Sequence, residues 1–118
     1  MREWFTEHGA LARGAFAVGV LVSLAVLFAP PGDVPTTPYG VDKVVHALLF
    51  AALAFTARWA GVGRGVTAVL MVLYAAVSEA LQGTDLVGRD ASLGDWLADV
   101  VGVLAGLLLW RAATLARR

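Results

Sequence analysis

The sequence predicts an all-α bundle of four membrane-spanning helices, with both termini cytoplasmic. Three observations predict it. Of 118 residues, 59% are hydrophobic and 15% charged, against about a quarter charged in an average soluble domain. The apolar residues collect in four runs, giving expected spans at about 14–29, 44–60, 66–82 and 95–111. Each is slightly short of the ~20 residues that cross a ~30 Å hydrocarbon layer, so flanking residues must contribute. The basic residues are also lopsided: with spans so placed, seven of the nine (Arg2, Arg13, Arg58, Arg64, Arg111, Arg117 and Arg118) fall on one side, and Lys43 and Arg89 on the other. The positive-inside rule makes the first side cytoplasmic. The length allows a single membrane domain, residues 1–118.

The first run follows Arg2 and Arg13 and has the length of a signal-peptide core. The sequence PPGDVP follows it directly, and no small-x-small cleavage site is visible. It is therefore expected to be an uncleaved span. Residues 30–39 hold all four prolines and form a loop. The second run opens with Asp42, Lys43 and His46 and closes on Arg58 and Trp59. Residues 61–65 are a glycine-rich turn. The third run ends with Ser78, Glu79 and Gln82, and the connector 83–90 carries Arg89. The fourth run starts with Ser92 and Asp95, spaced like a capping box that makes Ser92 the N-cap. Asp42 is expected to cap the second span in the same manner. Trp4, Phe5, Trp59, Trp96 and Trp110 lie near run ends, where an aromatic belt sits, and Arg13, Arg58, Arg64 and Arg111 are placed to snorkel.

At 100° per residue, Asp95, Asp99, Gly102 and Gly106 fall in a stripe roughly 60° wide. One face of the fourth helix is thus acidic at its start and smooth further on. The glycine pair permits close helix approach, expected inside the monomer in preference to a homo-oligomer.

Spans two and four run inward and span three outward. Asp42, Lys43, His46, Ser78, Glu79, Gln82, Asp95 and Asp99 therefore converge at one depth, near the outer edge of the bilayer. Carboxylates a turn inside that edge need partners. Lys43, His46 and Arg89 are the candidates, and Arg89 is expected to fold back onto Glu79 or Asp99. Asp42 and His46 are four apart on one helix face, as are Ser78 and Gln82, and Asp95 and Asp99.

There are no cysteines, which excludes disulfides, thiolate chemistry and cysteine metal sites. Zero net charge and the absence of a basic stripe argue against nucleic acid. One histidine and several carboxylates could ligate a divalent ion, but no HExxH-type motif is present, and neither metal nor cofactor is assigned. No nucleophile site, P-loop or dinucleotide fingerprint is seen, so no catalytic residue is identified.

Three segments carry a resemblance: DKVVHALLF (42–50), SEALQ (78–82) and GRDASLGDWLADVVGVLAG (88–106). In order and spacing they resemble the motifs of VanZ-like membrane proteins. Asp99 departs from that pattern, standing where the family usually has Asn. The resemblance implies a small multi-span bacterial membrane protein; the founding member is associated with resistance to the glycopeptide teicoplanin.

The expected function is an outward-facing polar pocket in the cell membrane that engages a cell-envelope component, an anionic lipid head group or a wall precursor. Lys43, Arg89 and the outward N-termini of spans two and four would receive the anion. The alternatives are a membrane-embedded enzyme acting on envelope lipids and a purely structural module.

Overall fold

The computed structural model describes residues 9–28, 41–82 and 93–116, with side chains from 43 to 81 and from 94 onward in the latter two stretches. Among these residues the chain is all-helical: α1 (Ala10–Phe28), α2 (Val41–Trp59), α3 (Arg64–Gln82) and α4 (Leu93–Ala116). The first three are 19 residues long and α4 has 24, which corresponds to about 28 Å and about 36 Å. The four expected runs are the four helices. Each helix starts two to four residues before its run, and α4 continues to Ala116 rather than 111.

Among the described residues, three segments are long and apolar enough to cross a membrane: Ala10–Phe28, Arg64–Leu81 and Gly94–Ala116. Helix α2 is equally long but carries Asp42, Lys43, His46 and Arg58. Its polar residues go with a central position: α2 packs on α1, α3 and, most extensively, α4. The small core is formed by Leu27, Phe50, Leu53, Ala54, Met71, Ala75 and Val103. Much of the remaining apolar surface points outward, with Leu21 and Leu48 each 67% exposed and Leu108 66%. Helices apolar on nearly all sides around so small a core suit a hydrocarbon surrounding.

The α2–α4 seam is set by glycine. A Cβ on Gly102 would collide with the carbonyl oxygen of Ala47 and lie 2.8 Å from its carbonyl carbon. A Cβ on Gly106 would collide with the carbonyl oxygen of Ala51 and sit 2.9 Å from Ala54 Cβ. The two backbones touch where side chains would hold them apart, which is how small residues let membrane helices associate.

The turn between α2 and α3 has a specific stop signal. Gly61 takes φ 101°, a region that costs a residue with a Cβ dearly. Its N–H donates to Arg58 O (3.0 Å), and the Val62 N–H donates to Ala57 O (2.9 Å). That pair of bonds is a Schellman ending. Arg58 Nη1 also donates to Val62 O at 2.7 Å, so this arginine closes the turn. Gly65, expected in the turn, lies inside α3.

Trp110 corrects the aromatic-belt expectation. It is 5% exposed and packs edge-on against Phe55, with ring centroids 5.3 Å apart. Because α4 runs six residues further, Trp110 is well inside the helix and faces the bundle.

Candidate functional site

The α2 N-terminal end gathers ionisable side chains from three helices. His46 on α2 and Asp99 on α4 are 3% and 0% exposed, and Glu79 on α3 is 6% exposed. His46 Nδ1 and Asp99 Oδ1 share a hydrogen bond of 2.8 Å. One donor atom from each of His46, Glu79 and Asp99 lies within 4.8 Å of the other two. About one turn toward the helix ends, Lys43 Nζ donates to Asp95 Oδ1 at 3.2 Å. The polar residues are therefore graded in depth, with a partly buried ion pair at the rim and a closed acid–imidazole cluster beneath it.

Helix geometry accounts for the pairing. Lys43 and His46 are three apart on α2, and Asp95 and Asp99 four apart on α4, so each pair stands on one face. Placing those two faces together makes both contacts at once. The glycines continue the Asp95–Asp99 face, so their close approach to Ala47 and Ala51 sets the register.

The cluster is not fully satisfied. Asp99 Oδ2 and Trp96 Nε1 are buried without a hydrogen-bond partner among the described residues. A buried acceptor left in this state costs about 1–3 kcal/mol, more if charged. Ser78 is fully buried, and its Oγ donates to Ala75 O at 3.0 Å, within its own helix. The hydroxyl is thereby engaged away from His46.

The remaining site expectations divide by position. Of the acids expected to share His46, Asp99 takes its Nδ1, across the α2–α4 seam. The side chains of Asp42 and Gln82, and all of Arg89 and Ser92, lie outside the described residues. So do Trp4 and Phe5, the proline-rich loop and the third connector.

Two further features emerge in three dimensions. Ser23 Oγ and Tyr74 Oη are 2.8 Å apart, tying α1 to α3. Tyr74 also packs on Phe50, with centroids 5.6 Å apart. Ser23 and Tyr74 are single polar residues within apolar runs, the sequence signal by which such a pair could be found. Thr56 bonds the carbonyl oxygens of Ala52 and Leu53 in its own helix.

At the opposite end, Arg58, Arg64 and Arg111 surround a cleft of about 430 Å³, also lined by Trp110 and Thr114. It holds arginines where the other end holds acids.

No protein-family model matches the chain, and neither a curated protein nor a solved structure matches it.

Proposed function

We propose that this chain is a multi-pass protein of the bacterial cell membrane whose α2 N-terminal end faces outward and engages a cell-envelope component. The observation that carries this reading is the meeting of His46, Glu79 and Asp99, from three separate helices, inside a bundle whose core is mostly apolar. Ionisable groups in such a setting are expensive and commonly mark a working site. Lys43, at the rim with a side chain 34% exposed, offers a cation to a lipid phosphate or a wall-precursor carboxylate. Arg89 adds a second cation by its place in the sequence. The acids orient the bases: Asp95 holds Lys43 and Asp99 holds His46. Both termini lie in the cytoplasm, which the arginine-rich opposite end supports. Membership of the VanZ-like family, with a part in glycopeptide resistance, belongs to the same proposal and rests on the three sequence motifs.

The absence of native cysteines makes the topology directly testable. A membrane-impermeant maleimide should label Val44→Cys in intact cells and Leu115→Cys only after permeabilisation. The reverse pattern would sink the outward-facing assignment. For function, Lys43→Ala and Glu79→Ala should weaken binding of purified protein to anionic envelope lipids or wall precursors, and raise glycopeptide sensitivity at equal membrane levels. Unchanged binding and sensitivity would dispose of the reading.

A second reading is favoured by the His46–Asp99 bond. A carboxylate that orients an imidazole is the arrangement of a general base, which suits an enzyme of envelope lipids. Turnover of a radiolabelled lipid, lost in His46→Ala, would establish it. A purely structural role is favoured by the closure of the cluster. In that case replacing His46 and Asp99 together by apolar residues should preserve stability and function.

A further inference from the structure

The inference concerns the same buried cluster, but its footing is the geometry of the three side chains and not the nature of any envelope ligand. We infer that His46, Glu79 and Asp99 form a binding site for a divalent transition-metal cation, of the zinc, cobalt or manganese type. Several observations lead there independently. The donors are one imidazole and two carboxylates, a set that suits these ions and not a soft, thiolate-seeking one. They come from α2, α3 and α4, so one ion would bridge three helices. Their donor atoms already lie within 4.8 Å of one another. A tetrahedral site with bonds of about 2.1 Å puts ligands about 3.4 Å apart. Binding would draw the donor atoms together by at most about 1.4 Å.

Hydrogen bonding strengthens the case. Asp99 is 0% exposed, and its Oδ2 has no hydrogen-bond partner among the described residues. With an ion present, the bond between His46 Nδ1 and Asp99 Oδ1 would give way: its shared proton leaves, and both groups turn to the metal as deprotonated ligands.

The test is titration of the purified full chain in detergent with Co²⁺, followed by visible d–d absorption, with Zn²⁺ as competitor. One Co²⁺ should bind per chain and be displaced by Zn²⁺. His46→Ala, Glu79→Gln and Asp99→Asn should each weaken binding by at least about tenfold, while Arg111→Ala at the far end should bind normally. The Asn and Gln variants are near-isosteric, and circular dichroism checks that they remain helical. As a second measure, Zn²⁺ should raise the thermal unfolding temperature of the wild type and not that of Asp99→Asn. Failure of the folded wild type to bind Co²⁺ would overturn the inference. So would binding that survives His46→Ala and Asp99→Asn unchanged, which would reveal an ion held adventitiously elsewhere. Because these measurements need no envelope ligand, their failure is separate from failure of the envelope reading.

Discussion

The two ends of the bundle solve the problem of charge in opposite ways. At the α2 N-terminal end, His46, Glu79 and Asp99 are drawn inside and closed off. At the other end, Arg58, Arg64 and Arg111 line an open cleft of about 430 Å³. Acids are short, so once they sit a turn inside a helix they must find partners within the bundle. Arginines are long, and their guanidinium groups reach the polar boundary from an apolar stem. The first solution makes the fold depend on a few specific contacts. The second leaves it largely indifferent to them. An end that depends on costly contacts is where function is to be sought.

That contrast can be broken by mutation, and the largest effect should come from the closed end. His46→Ala leaves Asp99 buried without its imidazole and should cost about 3–5 kcal/mol, read by thermal or denaturant unfolding in detergent. The double variant His46→Ala/Asp99→Ala should recover part of that loss, because no carboxylate remains unpaired at position 99. A double variant as unstable as the sum of the singles would show that the two residues act separately. Next comes the seam. Gly102→Ala forces α4 away from Ala47 and should cost about 1–3 kcal/mol, whereas Gly14→Ala, which meets nothing within 4 Å, should be neutral or slightly stabilising. Tyr74→Phe removes the link to Ser23 and should cost about 0.6 kcal/mol, the average for hydrogen bonds between membrane helices. Smallest of all, Arg64→Ala or Arg111→Ala should change stability by less than about 0.5 kcal/mol. A loss there equal to that of His46→Ala would erase the contrast between the ends.

Much of this was legible before any coordinates. Four apolar runs and the proline- and glycine-rich segments between them mark the helices, because burying or solvating twenty apolar residues leaves few choices. The convergence of Lys43, His46, Glu79, Asp95 and Asp99 at one end followed from counting helices up and down. Individual partners were less accessible. Spacing along one helix reports only neighbours on that helix, so it left His46 to be shared among several acids. Its bond to Asp99 depends on how α4 is registered against α2, and no single-helix rule contains that distance. Trp110 was misjudged for a related reason. Nearness to the last apolar residue suggested an interface, but five helical residues beyond Arg111 carry the helix end away from it.

Asp99, Gly102 and Gly106 occupy one stripe of α4, and the glycines rest directly on the carbonyls of Ala47 and Ala51. Bare backbone against bare backbone acts as a gauge block: it leaves no flexible spacer whose rotation could absorb a change in separation. Any substitution, lipid or partner that widens this gap must also part Asp99 from His46, a turn away. Mechanical adjustment along an apolar stretch would then be transmitted straight to the chemistry above it, and residues that bear no charge would govern how strongly the charged ones hold together.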